Sequence, residues 1–488
     1  MHPQIGYVRV KVENELFTVK KHMLIESSDY FRALFASGMR ECTQEEIQLH
    51  ELTARGFNVM LEVLKEDQPT LDSDGILDAI ECAAFLLVKP LTRHLIHTIN
   101  SSNCILMLQA AATFGLIDLV HASALFIRDV YTNIRQDLSF LAEDQLDYIE
   151  SLSPSTFVAV ATHFPSEHYL DDISRTICYL DETGNHWTPL TMLPDKASTS
   201  LAGIAVLNNN IYIVGGVDGL SNQIVKPTFC YDTERNSWSE FASLQHPRYN
   251  LTLIGQDGCL FAMGGMCRNV VLATVEKYHV ASNTWSLAAH LPRPGAGIAC
   301  ARTMGRIFVC LWLPLDTTDI YEYRTHRDDW LLVTTLKRQQ SYGHCMVAHN
   351  DNLYVMRNGP ADDFLRCMID CFNLTRQQWT ALIGQYVNSR GALFTAAVRG
   401  DTVFTVNRTL TLIYNIQEDK WKPEKEGAGF PRSGSMHTFL LRLPKNRQSQ
   451  QQFDSVQSLQ MENNRLKALL TYTRLYLHTL EALGGSDN

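Results

Sequence analysis

A basic side chain recurs at one position in the C-terminal two-thirds of this sequence of 488 residues. Each member of the set stands a similar distance before the end of a short apolar segment. Arginine pairs bidentately with carboxylate and phosphate groups. The pattern therefore predicts a cationic ring that binds a segment rich in Asp, Glu or phosphate; the alternative is a turn that merely precedes each strand. The residues are Lys196, Arg248, Arg293, Arg338, Arg390 and Arg432.

The other reactive side chains form no recognised catalytic or metal-binding motif. The sequence contains no G-x-S-x-G, P-loop or H-E-x-x-H motif, and its 17 histidines show no spacing matched to a cysteine pair. The 12 cysteines include no C-x-x-C pair and are expected to be reduced. We therefore expect a binding protein that is not an enzyme and needs no metal or cofactor.

Length, charge and hydropathy narrow the class further. A chain of 488 residues suggests two to four domains. The net charge of −10 argues against a nucleic-acid binder, and no window resembles a membrane span. Residues 1–6 do not resemble a secretory signal. These features predict a cytoplasmic protein, with nuclear or cytoskeletal association as alternatives.

Six tryptophans mark a repeat with intervals of 42 to 51 residues. An aromatic residue stands seven positions before each of the last five, and Tyr179 stands eight before the first. Units of this length are typical of four-stranded propeller blades, which bury their faces by stacking. The alternative is a β-sandwich with accidental tryptophans. The tryptophans are Trp187, Trp238, Trp285, Trp330, Trp379 and Trp421, and the five aromatics are Tyr231, Tyr278, Tyr323, Phe372 and Tyr414.

The second unit of this pattern resembles the Kelch repeat. An apolar strand ends in Gly215-Gly216, and Tyr231-Asp232 precedes Trp238. Later units, from Leu311-Trp312 onward, keep the strands but lack the double glycine. The resemblance implies an all-β, six-bladed Kelch propeller over 174–445, with the sixth blade closed by 174–190 together with 434–443. The other repeats cover about 198–244, 247–291, 294–336, 340–384 and 390–426.

The N-terminal third resembles the BTB (POZ) domain. Val8, Val10 and Val12 alternate with charged residues as in a half-buried strand, and helical periodicity follows from Phe57. The segment from Phe17 to Phe35 looks like the BTB signature, which implies an α+β domain over 5–99. Tyr7 and Lys20-Lys21 replace the charged residues that line a pocket in some members of that family.

A second helical pattern begins at Asn103-Cys104-Ile105 and resembles the BACK domain. It is short, so we predict a truncated BACK-like helical region over 100–163 and a linker over 164–173. The order BTB, BACK, Kelch is that of the Kelch-like family. The chain is thus predicted to be multidomain and to end in a helical tail over 446–488.

The resemblance implies a function in ubiquitin conjugation. In Kelch-like proteins the BTB and BACK helices bind cullin-3, and the propeller binds the protein to be ubiquitinated. The corresponding cullin-binding residues are Tyr30, Phe31, Met39 and Glu41. The resemblance also implies a homodimer formed through BTB. The alternatives are a BTB domain that never meets a cullin, and a cytoskeletal scaffold that cross-links partners through its two propellers.

The tail has an a/d heptad pattern that extends over 456–480. Asn463 occupies an a position, where asparagine favours a two-stranded parallel coil. The pattern predicts a coiled coil that adds a second dimer contact, or alternatively a solvent-exposed helix or a disordered extension. Its residues are Val456, Leu459, Asn463, Leu466, Leu470, Thr473, Leu477 and Leu480.

Overall fold

The computed structural model describes residues 6–37, 46–131, 133–135, 137–161, 176–183, 185–218, 223–313, 317–337, 344–358, 366–382, 386–387, 395–406, 411–424 and 436–445. Several sequence predictions lie outside the described residues. These are Met39, Glu41, Arg338, Arg390, Arg432, the linker 164–173 and the coil 456–480.

The N-terminal domain is a three-stranded sheet covered by helices. Strand Tyr7–Val12 lies in the middle, antiparallel to Glu15–Lys20 and parallel to Glu46–Leu49. The predicted alternation is correct, since Val8, Val10 and Val12 are all buried. Two helices lie between the second and third strands in the chain, α1 (Lys21–Ser27) and α2 (Asp29–Ala36). Three more follow the third strand: α3 (Ala54–Leu64), α4 (Ser73–Phe85) and α5 (Lys89–His97).

Three further helices form a second, smaller core. They are α6 (Cys104–Phe114), α7 (Ile117–Val130) and α8 (Glu143–Ser151), with a 3-10 helix at Asp137–Phe140. Gly115 ends α6 in the left-handed conformation that glycine adopts without strain. In the part of the chain described, no helix has both the length and the apolarity to cross a membrane.

The rest of the described chain forms six antiparallel sheets, which we call blades 1 to 6, and one short hairpin, Met266–Cys267 with Val270–Val271. Five blades have four strands, and blade 4 has an additional short strand. From the inner to the outer strand, they are: blade 1, Gly203–Leu207, Asn210–Val214, Thr228–Asp232 and Ser237–Phe241; blade 2, Thr252–Gln256, Cys259–Met263, Val275–His279 and Thr284–Ala288; blade 3, Ala299–Thr303, Arg306–Leu313, Thr317–Arg324 and Asp329–Lys337; blade 4, His344–His349, Asn352–Asn358, Arg366–Asn373 and Gln378–Ala381, with Tyr386–Val387; blade 5, Ala396–Arg399, Thr402–Val406, Thr411–Asn415 and Lys420–Glu424; blade 6, Met436–Arg442, Ser155–Ala161, Thr176–Asp181 and His186–Met192.

The blades follow one another in a cycle. Each inner strand lies beside the inner strand of the next blade, and the inner strand of blade 6 lies beside that of blade 1. Many antiparallel sheets in this order are consistent with a Kelch-type propeller. Such an arrangement buries the faces of the blades against one another and leaves only short strand edges.

The aromatic pairs explain the repeat. Tyr231 and Trp238 are cross-strand partners with ring centroids 5.1 Å apart, and the pairs in blades 2 to 5 are equivalent. The tryptophan Nε1 also reaches the preceding blade: that of Trp285 donates to the Ala242 carbonyl at 2.6 Å. A tryptophan that joins two blades must recur once per blade, which accounts for the period.

Blade 6 corrects the predicted domain boundaries. The sequence prediction formed the sixth blade from 174–190 and 434–443 alone and assigned residues up to 163 to the helical region. Instead, Ser155–Ala161 is the second strand of blade 6, paired with Met436–Arg442 on one side and with Thr176–Asp181 on the other. The strand is almost wholly buried, so it lacks the polar alternation that would have revealed it.

Candidate functional site

The first candidate surface surrounds the start of α2. The Ser28 side chain accepts a hydrogen bond from the Phe31 backbone N–H at 3.1 Å and donates one to the Leu86 carbonyl at 2.6 Å. One serine therefore caps α2 and ties it to the end of α4. Because Ser28 is fully buried, this junction is fixed by the core of the domain.

Tyr30 and Phe31 have different environments. Phe31 is fully buried in the core, so it is corrected from a predicted contact residue to one that supports the helix. Tyr30 is only partly buried, and its ring lies 5.3 Å from that of Phe31 and 5.6 Å from that of Phe85. Of the two predicted aromatics, Tyr30 alone can present a surface to a partner.

Apolar side chains that the sequence prediction missed extend this surface. Leu87 is 53% exposed, with φ at 51°, and Phe85 is also exposed. Asp29 lies at the edge and forms ion pairs with Arg32 at 2.5 Å and with Lys89 at 3.3 Å. We call Tyr30, Phe85 and Leu87 the α2 surface. An apolar centre with a charged edge is typical of protein interfaces.

A second exposed apolar group lies on the helical region. Phe114, Ile117, Phe140 and Tyr148 are all exposed there. The Gln109 side-chain amide donates to the Phe140 carbonyl at 3.0 Å, and the Tyr148 hydroxyl lies 2.7 Å from His121 Nδ1. These contacts tether the Phe140 backbone and the Tyr148 side chain. The run Phe114-Gly115-Leu116-Ile117 at a helix end was the signal available in the sequence.

The structure gives Arg248 a role inside the fold. Its guanidinium is fully buried and pairs with Glu276 at 2.5 Å; burial lowers its pKa, and Glu276 opposes that shift. The same group donates to the carbonyls of Gly264 at 3.1 Å and Thr274 at 2.9 Å. A buried charge that is fully bonded is not available to a partner.

Arg293 is also paired internally, and this further corrects the predicted ring. It binds Asp319 on the third strand of blade 3, in a largely buried pair. Lys196 is exposed. The sequence signal for these pairs was an acidic residue two to four positions before the repeat aromatic of the third strand, since Glu276 precedes Tyr278 by two and Asp319 precedes Tyr323 by four. The ring stays a prediction at Lys196 and at the positions outside the described residues.

No metal-binding cluster of His, Cys, Asp or Glu occurs within the described residues. The buried cysteines are not activated, because burial raises the pKa of Cys82, Cys178 and Cys345 to about 12. A thiol with a raised pKa is a poor nucleophile at neutral pH.

Two protein families match the chain at the regions just described. The BTB/POZ domain matches residues 7–103, which include the α2 surface. The Kelch motif matches residues 198–245 and 247–292, which are blades 1 and 2. These are also the two units that end their second strand in a double glycine.

Full-length relatives share both parts. The human Kelch repeat and BTB domain-containing protein 13 is 52% identical over 90% of this chain and 95% of that protein. Its mouse counterpart is 51% identical over the same shares. Mouse Kelch-like protein 42 is 26% identical over 89% of this chain and 97% of that protein.

Proposed function

Since the chain belongs to the BTB–Kelch family, we propose that it is a substrate adaptor of a cullin-3 ubiquitin ligase. The BTB domain and the helices after it bind cullin-3, and the propeller binds the protein to be ubiquitinated. The chain also dimerises through its BTB domain and acts by binding rather than by catalysis. It functions inside the cell, where cullin-3 is found.

The α2 surface is the observation on which the cullin-3 proposal rests. Tyr30, Phe85 and Leu87 offer adjacent apolar groups on a junction that Ser28 makes rigid. A rigid apolar surface loses little conformational entropy when it binds. Met39 and Glu41, which follow α2 in the sequence, supply the apolar anchor and the carboxylate of the family motif. The exposed group at Phe114, Ile117, Phe140 and Tyr148 extends the contact onto the helical region.

The test is direct binding of the purified full chain to purified cullin-3. We expect Leu87→Asn to weaken binding by about tenfold or more, because anchors in interface centres contribute most of the affinity. Asparagine suits this position because it tolerates positive φ. The double variant Met39→Ala/Glu41→Ala is expected to weaken binding as strongly. Calorimetric titration gives the dissociation constants.

Leu287→Asn is the matched control. Leu287 is a leucine of nearly equal exposure, 54%, on the outer strand of blade 2. It should bind cullin-3 like the parent chain. The adaptor function would be contradicted by a parent chain that does not bind cullin-3, or by equal losses of affinity for the Leu87 and Leu287 variants. Either result would favour the alternative, a scaffold that cross-links partners without a cullin.

A further inference from the structure

A short β-hairpin projects from blade 2. Met266–Cys267 pairs with Val270–Val271, and the two residues between them, Arg268 and Asn269, have φ values of 49° and 65°. Two successive positive φ values are typical of the turn that matches the twist of a two-residue hairpin. We call residues 266–271 the ribbon.

Arg248 bridges the two stems of the ribbon, the segments that lead into it and out of it. Its guanidinium donates to the carbonyl of Gly264 on one stem and to that of Thr274 on the other. Gly264 itself cannot be replaced without movement, since a Cβ there would overlap the Gly295 carbonyl oxygen. The buried pair of Arg248 with Glu276 therefore fixes the separation of the two stems.

The neighbouring loop holds the ribbon from the side. The Tyr249 backbone N–H donates to the Met266 carbonyl at 3.0 Å, and the Met266 N–H donates back at 2.7 Å. The Tyr249 hydroxyl donates to the Asn269 side chain at 3.3 Å. The ribbon is thus ordered before any partner arrives, so binding costs little conformational entropy.

The ribbon presents exposed side chains both at its turn and on its second strand. Val270 is 61% exposed and Val271 is 40% exposed. Arg268 is exposed and forms no ion pair with any residue of the described chain. It is a positive group on a protein of net charge −10. The ribbon thus offers exposed apolar side chains and an arginine without an ion pair, and these groups are complementary to an apolar side chain next to a carboxylate.

We propose that the ribbon is the partner-capturing element of the propeller, and that its partner is a protein segment with an apolar residue adjacent to Asp or Glu. This inference rests on the proposed function, because that function requires the propeller to bind a protein. It replaces the predicted ring at Arg248 and Arg293 with one exposed guanidinium that the buried Arg248 supports.

The test uses the full chain and three sets of fluorescent dodecapeptides. One set has a central Leu-Glu or Leu-Asp pair, the second has Leu-Lys and the third has Ser-Glu. We expect the first set to bind at least tenfold more tightly than the other two. Arg268→Asn and Val270→Ser/Val271→Ser should each reduce that binding about tenfold, and Arg268→Glu should shift the preference towards the Leu-Lys set.

Arg376→Glu is the matched control. Arg376 is an exposed arginine in a turn of blade 4, remote from the ribbon in the chain. It should bind the peptides like the parent chain, and circular dichroism should show every variant folded. Equal binding of acidic and basic sets, equal effects of Arg268→Glu and Arg376→Glu, or no peptide binding at all would overturn the proposal. A change of oligomeric mass in the valine variant would also overturn it, because the ribbon would then contact a second copy of this chain.

Cullin-3 binding by the same variants separates this proposal from the adaptor function. The ribbon variants are expected to bind cullin-3 normally. Selective peptide binding without cullin-3 binding would leave the ribbon proposal standing and overturn the adaptor. Cullin-3 binding without selective peptide binding would overturn the ribbon proposal and leave the adaptor function standing.

Discussion

At the scale of single residues, the N-terminal domain contains a histidine that the fold holds neutral. His94 lies in α5 and is buried, and its Nε2 has no hydrogen-bond partner among the described residues. Burial lowers its pKa to about 4, and the nearby His97 adds to the shift. An unfolded histidine has a pKa near 6.5, so only the unfolded chain gains a proton between these values.

This difference predicts that acid destabilises the domain. Because the folded pKa of His94 is depressed, its contribution is complete above pH 6.5 and is lost as the pH falls towards 4. We expect His94 to lower the free energy of unfolding by about 1 kcal/mol between pH 7 and pH 5.5. Urea denaturation at the two pH values measures this change.

His94→Leu should remove that part of the pH dependence whatever it does to stability at pH 7. His326→Leu, at an exposed histidine of blade 3, should leave the pH dependence almost unchanged. An unaltered pH slope in the His94 variant would contradict the assignment.

At the scale of elements, helix α7 binds two adjacent strands of blade 6 through a single carboxylate. The Asp129 carboxylate accepts hydrogen bonds from the Ser155 backbone N–H at 2.7 Å and from both Arg442 terminal nitrogens at 2.8 and 2.6 Å. Ser155 begins one strand of blade 6 and Arg442 ends its neighbour. Strands from distant parts of the sequence are thus joined by a residue of the helical region.

We expect Asp129→Asn to loosen blade 6 selectively. Amide exchange should become faster in 155–161 and 436–442, because a neutral amide cannot hold the Arg442 guanidinium as strongly. Blades 2 and 3 should exchange as before. Hydrogen–deuterium exchange with peptide-level mass spectrometry measures both regions.

The charge-swapped variant Asp129→Arg/Arg442→Asp should restore part of the protection. Asp329→Asn breaks an exposed pair with Arg324 inside blade 3 and should leave blade 6 unchanged. Uniform acceleration in all blades would indicate general destabilisation and contradict the selective role of Asp129.

At the scale of the whole molecule, the coiled coil at 456–480 stays a prediction, and the strength of self-association tests it. If the heptads at 456–480 form a coil, they add a second contact to a BTB dimer. Formation of one contact then raises the effective concentration of the two surfaces that form the other. Removal of residues 446–488 should then make the dimer dissociate at about tenfold higher concentration or more. Analytical ultracentrifugation over a dilution series measures this shift.

Leu466→Asp/Leu470→Asp in the full chain should reproduce the effect of truncation, because charges at core positions oppose coil formation. Gln450→Asp/Gln451→Asp, outside the heptads, provides the control. An identical dissociation profile for the truncated and full chains would remove the coil from consideration.

The sequence by itself determined the class of the molecule. The interval from Tyr231 to Trp238 and its counterparts revealed the blades, because a cross-strand aromatic pair recurs in each of blades 1 to 5. The alternation of Val8, Val10 and Val12 revealed the first strand. The resemblance to the BTB–Kelch family is confirmed by relatives that cover 90% of the chain. Such signals are local or repeated, so they can be recognised without knowledge of the tertiary structure.

Only the tertiary structure decided what individual side chains do. Ser155–Ala161 joined blade 6 because its partner Met436–Arg442 lies far away in the sequence. Arg248 changed from a predicted surface cation to a buried brace, since Glu276 reaches it across the blade. Phe31 and Tyr30 are sequence neighbours, yet only Tyr30 reaches the surface. Burial and ion pairing depend on which distant segments meet, and one-dimensional spacing does not contain that information.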